Sequence, residues 1–228
     1  MTDTQPTVFE PEGRAIPFVD EGNGPAVVLL PAEGLGVSYL GTLASTLVEE
    51  DFRVLRVGSR RSAGDADASL TLHDLAQDVV DVMDAVGLTD AWLGGHAFGG
   101  AVARAVSLDH HDHVNGVLLL GVSGAYPAAA DAVAAFPTES RDADAAAVHS
   151  AVRTATTAEE WTALAAGVPV LVIQGTDDTV APPAAGEALR AAAPDRVSVV
   201  PIDGGGYAFP YTHVGATSWA IEDYLDWD

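Results

Sequence analysis

The chain has no cysteine and no lysine. Without thiols there is no disulfide framework and no thiolate to attack a substrate or bind a metal. All ten basic residues are arginine, set against 33 acids, for a formal charge of −23. A chain so poor in positive charge is not expected to bind nucleic acid or to adhere to an anionic membrane. The acids are scattered rather than gathered in blocks, the pattern of a solvated surface suited to high salt or a GC-rich genome. No apolar run reaches the roughly 18 residues of a spanning helix. The opening residues, Met1-Thr2-Asp3-Thr4-Gln5-Pro6, carry neither a positive flank nor an apolar stretch, so no leader is expected and a cytoplasmic location is. No G-x-G-x-x-G follows the first buried strand, so no nucleotide is expected, and no other cofactor.

What is present fits one domain over residues 1–228, with 48% hydrophobic residues to build its core. Ala26–Leu30 and Gly116–Leu120 are apolar runs of the kind buried on both faces of a parallel sheet, and Phe52–Val57, Pro169–Gln174 and Arg196–Pro201 read as further strands. Ala15–Asp20 reads as a further strand that Pro17 confines to an edge. Helical spacing falls between the strands. Ser38 is placed to cap one helix, and Leu72, Leu75, Val79, Val82, Met83 and Val86 form the inner stripe of another, opened by Thr71. His213 to Leu225 reads as the closing helix. Alternation of strand and helix implies an α/β fold with a mostly parallel sheet flanked by helices. Residues 122–167 break the pattern: rich in alanine, with Pro127 and Pro137, and helical near 142–154 and 158–165, they read as a small helical lid or as plain surface helices.

The stretch Leu93-Gly94-Gly95-His96-Ala97-Phe98-Gly99-Gly100 joins an apolar strand to a helix through glycines. That is the setting of the G-x-S-x-G nucleophile elbow, but the serine is absent and Ala97 stands at its place. The order of segments resembles the α/β-hydrolase superfamily along almost the whole chain. Asp20–Leu30 is similar to its early hairpin, the glycine-framed turn to its elbow, Val170–Asp178 to the strand and loop carrying its acid, and Pro201–Tyr207 to the loop carrying its histidine. The resemblance implies triad positions at Ala97, Asp178 and Tyr207, with Asp177 second choice for the acid. It also implies oxyanion donors from the backbone of Glu33 and Phe98.

Two of those three positions lack the residue that acyl transfer needs. A methyl group cannot attack a carbonyl, and a phenol of pKa near 10 is a poor base at neutral pH. Tyr207 is left to donate a hydrogen bond to Asp178 or to a ligand, or to pack over a disused site. The carboxylate of Glu33 is expected to point outward, since an unpaired charge is costly to bury. His96 is expected to lie under the loop. His110, His111 and His113, with Asp109 and Asp112, match no closed metal site and read as an exposed helix end, so no metal is expected. Tyr126 and Trp161 are the aromatics expected to reach the pocket, or else to join the core.

Three explanations fit the two substitutions. The chain binds a small, largely apolar molecule without serine-hydrolase turnover. Or it runs hydrolase or lyase chemistry on a small ester or carbonyl compound with Asp178, Tyr207 and Glu33 as acid–base groups. Or a serine was replaced by design, which Tyr207 argues against, because one knockout needs one substitution.

Overall fold

A computed structural model describes residues 5–122 and 130–226. In chain order the strands and helices are β1 (Thr7–Phe9), β2 (Ile16–Glu21), β3 (Ala26–Leu30), α1 (Gly41–Glu49), β4 (Arg53–Val57), α2 (Leu72–Ala85), β5 (Ala91–Ala97) and α3 (Phe98–Asp109). They continue as β6 (Val114–Val122), α4 (Ala130–Ala134), α5 (Ala143–Ala155), β7 (Val170–Gly175), α6 (Pro183–Ala192), β8 (Val197–Ile202), α7 (Phe209–Thr212) and α8 (Val214–Leu225). The strands form one sheet in the order β1-β2-β4-β3-β5-β6-β7-β8. β1 and β2 are antiparallel to their neighbours and the rest are parallel.

The continuous apolar strands are continuous because both faces are covered. Val27, Leu29, Leu118, Leu120, Leu171 and Ile173 face α1 and α8. Val28, Leu30, Leu93, Val117, Leu119 and Val172 face α2, α3 and α6. Alternate residues of each strand thus feed two separate cores, as the period of two requires. The α2 helix opens on a reciprocal cap: Thr71 accepts from the Asp74 N–H, and Asp74 accepts from the Thr71 N–H at 2.8 Å.

Some expectations shift. Pro17 does not leave β2 at the rim, because β1 pairs outside it. Pairing of β2 with β4 starts one residue later, at Phe18, so the missing N–H of Pro17 falls before that ladder begins. Ser38 lies inside a 3-10 turn, Val37–Leu40, and caps nothing; its hydroxyl is 3.5 Å from the Glu139 carbonyl. Helix is found at 143–155 as the spacing suggests, but 158–162 are turns and 163–165 irregular. Glu160 bonds back to the Thr157 N–H at 2.6 Å there, closing a turn instead of continuing a helix.

Candidate functional site

Parallel α/β sheets offer ligands a crevice beyond the carboxyl ends of their strands. Ala97 ends β5 there, and Asp178 and Tyr207 follow β7 and β8. The turn from β5 into α3 is tight. Ala97 has φ 48° and ψ −102°, a conformation that L residues seldom adopt. Both flanking glycines are sterically required. A Cβ on Gly95 would lie 2.1 Å from the Gly99 carbonyl carbon, and one on Gly99 would lie 2.4 Å from the Leu30 carbonyl oxygen. The first backbone N–H groups of α3, Phe98 among them, have no acceptor within their own helix.

Asp178 is buried in the loop after β7. Its Oδ1 accepts from the N–H groups of Val180 and Ala181, both at 2.8 Å. Its Oδ2 is buried with no hydrogen-bond partner among the described residues. Burial raises its pKa above the usual carboxylate value, against those two backbone bonds, which lower it. Asp177, second choice for the acid, is exposed.

Tyr207 is 9% exposed, and its hydroxyl also lacks a partner among the described residues. Tyr207 therefore makes no bond to Asp178, which the sequence had left as one of its uses. Burial first, then the charges of Glu33 and Asp178, push its pKa well above the ordinary phenol value, so the hydroxyl stays protonated.

His96 is fully buried, with its ring centroid 4.7 Å from that of Tyr207. The Ala32 N–H donates to the Tyr39 hydroxyl at 3.2 Å, and that hydroxyl is 2.9 Å from His96 Nδ1. The Tyr39 hydroxyl meets no acceptor other than Nδ1 among the described residues, so it donates there, which puts the imidazole proton on Nε2. Nε2 meets no acceptor in hydrogen-bond geometry; the nearby Tyr207 carbonyl only weakly favours the cation. Burial lowers the His96 pKa to about 3, so the ring is neutral.

Glu33 does not point into solvent. Its side chain is 15% exposed and meets Arg153 of α5 at 2.8 Å. The cost that argued for an outward carboxylate is offset by a cation from far along the chain. The Arg153 guanidinium in turn lies 4.5 Å from the Trp161 ring centroid and 5.7 Å from that of Phe98. Trp161 is wholly buried and joins the α2–α3 side of the core, whereas Ala97 and Tyr207 belong to the other cluster. Tyr126 lies outside the described residues.

Sequence reasoning missed the rings that surround Tyr207. Phe136 packs edge-on to Tyr39 at 5.4 Å and to Tyr207 at 6.0 Å, and Phe209 lies edge-on to His96 at 6.1 Å. Phe209 follows the glycine loop by three residues and was within reach of a sequence argument; Phe136 lies in the alanine-rich segment and gave no signal. An open groove of about 720 Å³ borders Tyr207, with Val180, Gly206, Ala208 and His213 among its walls.

A serine–histidine pair does lie beside the turn: Ser59 Oγ is 2.7 Å from His149 Nε2. The Gly34 N–H donates to His149 Nδ1 at 3.1 Å, so the imidazole proton sits on Nε2 and is given to Ser59. An imidazole in that tautomer cannot take the serine's proton. The pair is a strut rather than a nucleophile with its base.

The fold and the turn at Ala97 define the class. The chain belongs to the α/β-hydrolase fold family, whose model matches residues 25–165. Among curated relatives, it is 32% identical over 101 residues to a proposed carbamate hydrolase, RutD, of Variovorax paradoxus (43% of this chain, 38% of that one). It is 30% identical over 122 residues to a zearalenone hydrolase of Bionectria ochroleuca (50% and 46%). The matched region spans less than half of either relative. Among solved structures, an esterase from Thermogutta terrifontis superposes with a TM-score of 0.78 at 21% identity, covering 98% of both chains. An enol-lactonase from Burkholderia xenovorans superposes with a TM-score of 0.77 at 20% identity, covering 96% of this chain and 100% of that one.

Proposed function

We propose that this chain binds a small molecule at the carboxyl ends of its strands and does not turn over esters as a serine hydrolase. The observation that carries the reading is Ala97. It keeps the strained backbone of the elbow and presents a methyl group where acyl transfer needs a hydroxyl. Tyr207 strengthens it, because a buried phenol held protonated is no general base. The groove beside Tyr207, walled by Ala132, Ala135, Val180 and Ala208, and the scarcity of positive charge favour a largely apolar, uncharged molecule over nucleic acid. Residues 122–167 act as a lid in this reading, supported by the hold of α5 on the loop at Glu33.

The test is hydrolysis of p-nitrophenyl esters by the wild type and by Ala97→Ser with Tyr207→His. The wild type is expected to be inert. The double variant is expected to gain about 100-fold or more, since the free Oδ2 of Asp178 is available to orient a histidine at 207. Ester turnover by the wild type that is lost in Asp178→Asn would overturn the reading.

One observation favours a second reading. Burial raises the pKa of Asp178, a property of groups that exchange protons. In that case the chain is an enzyme using non-serine acid–base chemistry, and Asp178→Asn abolishes turnover of its substrate. Turnover that survives that substitution removes this alternative.

A further inference from the structure

Two polar atoms of the candidate site, Asp178 Oδ2 and the Tyr207 hydroxyl, are buried and have no partner among the described residues. Leaving such an atom unsatisfied costs about 1–3 kcal/mol, and native proteins rarely keep two together without something to pair them. A chain of packed rings links the two side chains. Asp178 Oδ2 lies 3.7 Å from where a Cβ on Gly121 would stand, and the Phe209 ring lies 3.8 Å from the same point. Phe209 packs on His96, and His96 packs on Tyr207. The charge of Asp178 is felt at the Tyr207 hydroxyl, yet the two groups do not bond to each other.

Their chemistry is complementary. The Tyr207 hydroxyl is held protonated and has a proton to give. Asp178 Oδ2, opposite an Oδ1 already filled by two backbone donors, accepts. Arg153, the cation whose charge is felt at the Tyr207 hydroxyl, is engaged by Glu33. An anionic head would therefore meet the Asp178 carboxylate with its nearest counter-charge already neutralised.

We propose that the site selects an uncharged ligand whose head group both donates and accepts a hydrogen bond, a primary carboxamide or a hydroxyl, and rejects the matching carboxylate. The donor of the head meets Asp178 Oδ2 and its acceptor meets the Tyr207 hydroxyl. The proposal rests on the reading that the strand ends hold the ligand, and it specifies that ligand's head.

The experiment titrates the full chain, observed by ¹⁵N-resolved NMR, with four probes of one body: phenylacetamide, 2-phenylethanol, phenylacetate and methyl phenylacetate. The amide and the alcohol are expected to bind about tenfold or more tighter than the carboxylate and the ester, with shifts at residues 178–181 and 205–209. Asp178→Asn keeps an oxygen for the two backbone donors and puts an NH₂ donor where Oδ2 stood. It is expected to weaken the amide about tenfold and to strengthen the ester and the carboxylate. Uniform weakening of all four probes would mean a structural role for Asp178 and would overturn the inference. So would carboxylate or ester binding as tightly as the amide at the same residues; the small-molecule reading would then stand. If none of the four shifts those residues, ordered solvent alone satisfies the two atoms, and the inference and the small-molecule reading fail together.

Discussion

Ala97 holds φ 48° and ψ −102° with a methyl side chain that takes no part in the turn's hydrogen bonding. Such a conformation costs a non-glycine residue about 1–3 kcal/mol. Glycine adopts it more freely but loses about 0.5–1 kcal/mol through its looser unfolded chain. Ala97→Gly is therefore expected to stabilise the protein by about 1 kcal/mol in urea unfolding. Destabilisation would show that packing of the methyl group outweighs the strain. The vacancy at 97 was readable directly, because a motif with one letter changed is still a motif. The partner of Glu33 was not. Arg153 lies 120 positions away, and a residue that looks costly to bury in its own segment becomes affordable only once the fold delivers a cation. The absence of a bond between Tyr207 and Asp178 was hidden too, because no spacing predicts it.

At the scale of elements, α5 and the turn leading into it grip the loop after β3. Gly36 donates to the Ser140 carbonyl and Asp142 donates to the Gly34 carbonyl, both at 2.9 Å, and Leu35 bridges Arg141. His149 adds the strut from Gly34 to Ser59. That histidine is buried and neutral, its pKa lowered to about 3, mainly by burial and then by the charge of Arg153. In the unfolded chain it titrates near 6.5, so the unfolded state takes up the proton first as pH falls. Its contribution to stability is whole above pH 6.5 and is lost progressively toward pH 3. His149→Gln keeps an acceptor for Gly34 and a donor for Ser59 without titrating. Between pH 7 and pH 5 the variant is expected to lose about 2 kcal/mol less than the wild type, read from urea midpoints at each pH. Equal losses would place the acid sensitivity elsewhere. The strands were legible because burial on both faces leaves an unbroken apolar run. The stretch 158–165 misled because alanine favours helix wherever nothing competes, and here the Thr157–Glu160 bond competes.

Over the whole molecule, the arginines are held close to home. Arg14, Arg53, Arg56, Arg60, Arg153 and Arg190 each engage a carboxylate of the same chain. With 33 acids against ten bases, the remaining surface is strongly negative and repels itself. Raising salt from about 10 mM to about 500 mM shortens the screening length from roughly 30 Å to below 8 Å and relieves that repulsion. The melting temperature is expected to rise by several degrees, about 2–4 °C for each kcal/mol regained. A flat melting temperature up to molar salt would remove any adaptation to a salty medium from the reading of this charge. The charge was plain from composition, but which arginines it leaves for a ligand depends on the pairings.

The order of the sheet carries one more consequence. Its two outer strands are β1, only three residues long, and β8, which contains Pro201. The carbonyls of Arg196 and Ile202 point at β7, so alternation turns Pro201 toward the open side of β8. An incoming strand would find a gap in the donor row on one flank and too short a template on the other. The molecule is thus guarded against stacking edge to edge into aggregates as its copies crowd together.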